Sequence, residues 1–160
     1  NFHNRLWKSD GTSDGTSRVG VTSPDGDPDF VSQLRSVNGI AYFVADAGSY
    51  HHELWKSDGS DAGTHRLSSI NHGSTAWISG LTLFDNTLIF SAVNDVTGEE
   101  IWRFNTITGK FTQLTNIDSF YWVEESYSPP FSRILNTIYF AGAPISAYGI
   151  EPLFLINAVS

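Results

Sequence analysis

Leu6-Trp7-Lys8-Ser9-Asp10-Gly11-Thr12-Ser13-Asp14-Gly15-Thr16 and Leu54-Trp55-Lys56-Ser57-Asp58-Gly59-Ser60-Asp61-Ala62-Gly63-Thr64 share eight of eleven residues and start 48 positions apart. A weaker third copy starts at Ile101-Trp102. Self-similarity at this period marks a repeat architecture, in which one supersecondary unit stacks on the next. Such arrays are more often scaffolds or binding surfaces than frames for a single catalytic pocket. The repeat therefore constrains fold and function together.

Each period holds four short segments. In the best-defined one, Leu81–Phe84 is apolar, Asp85-Asn86 forms a turn, and Thr87–Ala92 reads as a strand from its β-branched and aromatic content. Residues 94–98 form a loop, Glu100–Phe104 is the next strand, Asn105–Gly109 a turn, and Lys110–Leu114 closes the unit. Asn38–Ala45 and Leu135–Gly142 align with this pattern, and Asn38-Gly39 is a strong hairpin signal. No stretch shows sustained helical periodicity. Phe43, Phe90 and Phe140 recur at spacings of 47 and 50 residues. The strands that carry them are apolar on both faces, Ala41, Phe43 and Ala45 on one and Ile40, Tyr42 and Val44 on the other. A sheet with one solvated face would alternate apolar with polar. Small sheets stacked face to face, as in a β-propeller, bury both.

The expected fold is thus all-β: a segment of about three propeller blades, each a four-stranded antiparallel sheet of about 47–50 residues. The whole chain, 1–160, is expected to be one repeat region, divided at about 1–33 (partial), 34–80, 81–130 and 131–160 (partial). Each sheet should run from a Leu-rich inner strand through the Phe and Trp strands to a Gly-Thr outer strand. The expected tally is about 13 strands, two of one blade, two full blades and three of another, with Tyr121–Pro130 an enlarged connection. Such a run cannot close a ring of about four to eight blades by itself. Its open edges predict self-association or further blades of the same parent chain.

Composition narrows the partners. A net charge of −8 argues against nucleic acid, whose binders carry a basic stripe. No apolar run is long enough for a membrane-spanning helix. There is no Cys, hence no disulfide framework or thiolate chemistry. There is no Met, no visible signal peptide, and the first repeat starts part-way through, as expected of a chain processed or cut from a longer one.

The string Leu-Trp-Lys-Ser-Asp-Gly-Thr, with Gly-Thr downstream, resembles the bacterial ELWxxDGT (Glu-Leu-Trp-x-x-Asp-Gly-Thr) repeat family. Glu53–Ser60 fits it with one Thr-to-Ser change, and Leu6–Thr12 fits with Arg5 in place of Glu. Glu100-Ile101-Trp102 keeps the start, then has Asn105 for Asp and Thr106 for Gly. Gly149–Phe154 is similar to a decayed fourth copy, in which Leu153 or Phe154 takes the Trp place. The resemblance implies a bacterial, secreted or surface-exposed protein with propeller-like repeats, and implies fold more than chemistry.

Structure alone accounts for the repeated residues. Trp7, Trp55 and Trp102 would pack between blades. Asp10, Asp58 and Asn105 would fix a turn by accepting backbone N–H groups, with Gly11 and Gly59 supplying positive φ, Gly15 and Gly63 of the later Gly-Thr restarting the outer strand, and Gly109 ending the third turn. Phe43, Phe90 and Phe140 would form the core.

Four chemical alternatives stand beside this reading. Asp25, Asp27 and Asp29 alternate as an oxygen-ligand loop for calcium would, but Phe30 and Ser36 break the EF-hand pattern. Asp10 with Asp14, and Asp58 with Asp61, are further oxygen pairs; apart from calcium, no cofactor is expected. Sialidase-like propellers carry Asp boxes, but no Trp follows Thr16 or Thr64, and Arg18 and Arg66 occupy equivalent, hence structural, places. His51-His52-Glu53 and Asp46 lie together but read as surface residues rather than a zinc site. Trp77, Tyr121 and Trp122 lie near inter-blade connections, where aromatics bind sugars or proteins or fill gaps between blades. The function expected is that of a non-catalytic extracellular or cell-surface module for structural assembly or adhesion, binding protein or carbohydrate partners. A lectin-like propeller and a fragment of a sialidase-like hydrolase are the alternatives.

Overall fold

The computed structural model describes residues 3–46, 52–67, 77–94, 98–116, 120–121, 131–134, 137–140, 143–144 and 154–157. Every regular element among them is a β-strand. Among the described residues, no helix is long and apolar enough to cross a membrane. The strands are β1 (Trp7–Lys8), β2 (Ser17–Arg18), β3 (Asp29–Val37), β4 (Ile40–Asp46), β5 (Glu53–Ser57), β6 (His65–Arg66), β7 (Ile78–Phe84), β8 (Thr87–Asn94), β9 (Gly98–Asn105), β10 (Lys110–Gln113), β11 (Phe120–Tyr121), β12 (Phe131–Ile134), β13 (Thr137–Phe140), β14 (Ala143–Pro144) and β15 (Phe154–Asn157).

They form two four-stranded meanders, β3-β4-β5-β6 and β7-β8-β9-β10, a three-stranded sheet β12-β13-β15, and the pairs β1-β2 and β11-β14. The neighbours are those expected from the repeat. The expected sets of two, four, four and three strands are all present, and β11-β14 adds one pair beyond them. That pair joins Phe120 to Pro144 and Tyr121 to Ala143, so the connection expected from Tyr121 begins on a strand. Residues 122–130 of that connection, Trp122 among them, lie outside the described residues, as do Gly142 and Glu151. The sheets also begin earlier than the repeat boundaries suggested, at Asp29 and Ile78 rather than at 34 and 81.

The extra length of β3 comes from two bulges. Asp29 pairs with Asp46, Ser32 with Val44 and Arg35 with Tyr42, so three residues of β3 twice span two of β4. Phe30 and Gln33 absorb the surplus with positive φ, 51° and 53°. At the other end, Val37 pairs with Ile40 across Asn38-Gly39, both with positive φ, as a two-residue hairpin of this twist requires.

The same cross-strand pairing occurs in both four-stranded sheets. Phe43 faces Trp55 and Phe90 faces Trp102. Phe140 pairs with Phe154 in the three-stranded sheet. Trp7 pairs with Arg18 as Trp55 does with Arg66.

The chain divides into two compact units, Asn1–Ile78 and Ser79–Ser160. In the first, Leu6 and Val19, which flank the β1-β2 pair, pack against Phe43, Ala45 and Trp55 of the next sheet, with Val31 alongside. In the second, Ile89 and Ile101 pack against Phe131, Ile138 and Phe140, with Phe84 and Leu114 alongside. Each core is therefore built between two successive sheets. Residues 42–46 of β4 and 88–92 of β8 are all buried, so these central strands do present two apolar faces to protein.

The Trp residues are equivalent in register but not in burial. Trp55 is fully buried, Trp102 partly, and Trp7 is 58% exposed. The cause lies in the sheets. Trp55 and Trp102 sit on strands flanked on both sides, whereas β1 pairs with β2 alone.

Candidate functional site

The repeated turn uses its polar atoms internally. Asp10 Oδ1 accepts the Thr12 N–H at 2.9 Å and the Thr12 hydroxyl at 2.7 Å. Thr12 Oγ1 accepts the Gly15 N–H at 3.0 Å, and Thr16 donates to Thr12 O at 2.6 Å. Ser9 and Thr16 hydroxyls meet at 2.7 Å, and Gly11 N–H reaches Ser9 Oγ at 3.0 Å. The second copy repeats all six bonds, with Ser60 replacing Thr12: Asp58 Oδ1 accepts Ser60 N–H at 2.8 Å and its hydroxyl at 2.7 Å. The others join Gly63 N–H to Ser60 Oγ, Thr64 to Ser60 O, Ser57 to Thr64, and Gly59 N–H to Ser57 Oγ. A hydroxyl, not a methyl, is what this position needs, so Thr and Ser interchange.

The two glycines of each turn have different reasons. Gly11 and Gly59 adopt positive φ, 94° and 88°. Gly15 and Gly63 do not; a Cβ there would lie 2.0 and 2.1 Å from Oδ1 of Asp10 and Asp58. The carboxylate folds over the glycine, so the motif links Asp to the later Gly by direct contact. The third copy keeps only the first layer: Asn105 Oδ1 accepts from Ile107 N and Thr108 N at 3.0 and 2.9 Å. The hydrogen bonds donated by the Thr12 and Ser60 hydroxyls hold the pKa values of Asp10 and Asp58 below the usual carboxylate range, helped by the N–H of the same residues.

A second set of carboxylates joins the β1-β2 pair to the β3–β6 sheet. Asp61 accepts Gly20 N–H at 2.8 Å, and Thr22 N–H and hydroxyl at 3.2 and 2.8 Å. The Thr22 hydroxyl and Gly20 N–H hold its pKa down as well. Ser23 donates to Thr64 O at 2.5 Å, Lys8 Nζ to Gly59 O at 2.7 Å, and Arg66 N–H to Asp25 Oδ2 at 3.0 Å.

The loop with Asp25, Asp27 and Asp29, read from sequence as a calcium candidate, faces cations of the chain itself. Arg18 pairs with Asp27 at 2.5 Å, and Arg5 with Asp27 and Asp29 at 3.3 and 3.4 Å. His3 Nδ1 lies 2.5 Å from Asp29. A calcium ion would have to displace two guanidinium groups from these oxygens. Among the described residues, no group of three or more His, Asp or Glu side chains is placed to hold a metal ion.

The remaining feature is an aromatic ring, an imidazole and a carboxylate placed together at two points. Trp77, the one aromatic candidate with a described side chain, is 55% exposed. The His52 ring meets it edge-on at 4.2 Å, and His52 Nδ1 lies 3.2 Å from Oδ1 of buried Asp46. One period earlier, Phe30 takes the place of Trp77. His3 packs on it at 4.7 Å and reaches Asp29. Neither trio was recognised as a unit from sequence; the 47-residue spacing of Phe30 and Trp77 was the available signal. Arg18, read from sequence as structural, is engaged by Asp27, as is Arg5.

No protein-family model matches the chain, and no curated protein matches it.

Proposed function

We propose that the chain is a run of β-propeller blades of the ELWxxDGT-repeat kind, acting as a non-catalytic module for structural assembly or adhesion on the outside of a bacterial cell. One observation carries this. The polar residues that the repeat preserves, Asp10, Thr12 and Thr16 with their counterparts Asp58, Ser60 and Thr64, bond to one another and to their own backbone. A motif whose acids and hydroxyls are consumed in holding a turn specifies architecture rather than reaction chemistry. The central strands of the two four-stranded meanders, β4 and β8, are buried on both faces, which supports the propeller assignment. A panel of fluorogenic glycosides, sialosides included, tests it. The expected result is no turnover above buffer; turnover that disappears in Asp10→Asn or Arg5→Ala would overturn the non-catalytic assignment.

A second reading is favoured by the two trios. An exposed ring with a polar imidazole–carboxylate edge suits the mixed apolar and hydroxyl surface of a sugar. A lectin-like blade of this kind predicts glycan-array signal that falls at least ten-fold in Trp77→Ala and survives in Ile107→Ala, a more exposed apolar control. Absence of signal across neutral and acidic glycans removes this reading and leaves assembly.

A further inference from the structure

Covalent change has few openings in this chain. It holds no Cys and no Met, so the thiol and thioether oxidation ladders are closed to it. Succinimide chemistry at Asp-Gly and Asn-Gly remains. There the glycine amide nitrogen attacks the side-chain carbonyl carbon of the residue before it, and the missing Cβ leaves the approach open. Five such pairs occur: Asp10-Gly11, Asp14-Gly15, Asp25-Gly26, Asn38-Gly39 and Asp58-Gly59.

The fold treats them differently. In all four Asp-Gly pairs the glycine N–H is already donated. Gly11 and Gly59 donate to Ser9 Oγ and Ser57 Oγ, each at 3.0 Å. Gly15 donates to Thr12 Oγ1 at 3.0 Å, and Gly26 to Ser23 O at 3.0 Å. Carboxyls are engaged as well: Asp10 and Asp58 each accept two bonds, and Asp25 Oδ2 accepts the Arg66 N–H at 3.0 Å. An ionised carboxylate is a poor electrophile, and the Thr12 and Ser60 hydroxyls hold Asp10 and Asp58 in that form.

Asn38-Gly39 is placed otherwise. Val37 and Ile40 close the β3–β4 hairpin, so both residues lie beyond the last rung of the ladder. Both are exposed, and a Cβ on Gly39 would meet nothing within 4 Å. Among the described residues, no bond of the kind made by the other four glycines holds the Gly39 N–H. The Asn38 side chain is a neutral amide, which needs no protonation before attack.

We propose that Asn38 is a site of spontaneous covalent modification, losing its side-chain amide through a succinimide at the tip of the β3–β4 hairpin, while the four Asp-Gly turns are guarded by their own hydrogen bonds. The Gly39 nitrogen forms a bond to Asn38 Cγ and gives up its proton. The Cγ–Nδ2 bond breaks, and ammonia leaves with that proton. Water then adds to either ring carbonyl and opens the ring, giving aspartate or isoaspartate at position 38. The sum is amide plus water to carboxylate plus ammonium, with no oxidant or cofactor, and one negative charge is added to a chain of net charge −8. Aspartate tolerates the φ of 54° that Asn38 holds, so that product keeps the hairpin. Isoaspartate lengthens the main chain by one carbon and loosens the Val37–Ile40 closure.

Peptide mapping tests this. The folded 160-residue chain is incubated at mildly alkaline pH and cut with trypsin, and mass spectrometry follows amide loss. Residues 36–56 form one tryptic peptide whose only amide side chain is Asn38. Amide loss there should run at least ten-fold faster than in any other Asn-bearing peptide. Isoaspartate in peptides 9–18, 19–35 and 57–66, which carry the four Asp-Gly pairs, should be at least ten-fold scarcer in the folded chain than in the guanidinium-unfolded chain. Asn38→Gly removes the amide and keeps a residue at ease with positive φ. The acidic charge variant that isoelectric focusing shows in the aged native chain should be absent from it, with circular dichroism unchanged. Three results each overturn the proposal: amide loss no faster at Asn38 than at the other asparagines, an acidic variant that persists in Asn38→Gly, or isoaspartate at the Asp-Gly pairs as abundant in the folded as in the unfolded chain.

Discussion

Trp7 and Trp55 occupy one position of one motif, yet truncating them should have unequal consequences. A buried Trp removes about 150–250 Å² from water; at ~25 cal/mol per Å² this amounts to about 4–6 kcal/mol. Trp55 is fully buried among Leu6, Val19, Phe43 and Ala45, and its indole N–H donates to Ala45 O at 3.0 Å. Trp55→Ala should therefore cost about 3–5 kcal/mol, a large part of the stability of a small domain. Trp7 retains more than half its exposure, so the same area argument leaves Trp7→Ala at about 2 kcal/mol or less. Trp55→Phe separates packing from hydrogen bonding. It should cost an intermediate amount, including about 1 kcal/mol or more for a buried carbonyl left without its donor. Both positions belong to the Asn1–Ile78 unit, so guanidinium unfolding followed by far-ultraviolet circular dichroism reads them on one transition. Equal costs for the two alanine variants, or a cost under about 1 kcal/mol for Trp55→Ala, would refute the view that strand neighbours rather than motif identity decide what this Trp contributes.

Three further predictions concern the turns. Gly63→Ala places a methyl against the Asp58 carboxylate, so the midpoint of unfolding should fall; adding Asp58→Ala should restore part of that loss, whereas independent sites would simply sum. Asp61→Ala removes three hydrogen bonds to Gly20 and Thr22, so limited proteolysis should cut the 20–28 segment faster while leaving β4 and β5 intact. The folded-state pKa values of Asp10, Asp58 and Asp61 lie below the ordinary 3.8, so these carboxylates contribute stability that is fully present above that value. It should be lost as pH falls below 3.8 and through each depressed value; an Asp58→Asn variant should lose less stability over that acid window than the native chain, and an unchanged slope would contradict the assignment.

Much of the fold was legible because it is written in local chemistry that recurs. Asn38-Gly39 dictates a two-residue turn by its backbone preferences, and the Phe strands declare two buried faces by their composition. The bulges at Phe30 and Gln33 were not legible, because neither residue type signals positive φ; only Gly80, one period after Gln33 and also at positive φ, hints at it. The role of Gly15 and Gly63 was hidden for another reason: their requirement comes from where the Asp side chain folds, not from their own φ. Burial of Trp7 could not be read from the motif, since it depends on which strands flank β1. The candidate site was the least legible part. His52 and Trp77 are 25 residues apart in sequence, and no local pattern announces that their rings meet.

The claim on which all of this depends is that a single cassette sets the same cross-strand register in successive sheets. Backbone nuclear Overhauser effects in the isotope-labelled 160-residue chain test it directly. Cross-strand contacts are predicted between Phe43 and Trp55, between Phe90 and Trp102, and between Trp7 and Arg18. Contacts that pair Trp55 and Trp102 with residues at unlike repeat positions, or sequential amide contacts typical of helix through either motif, would contradict it.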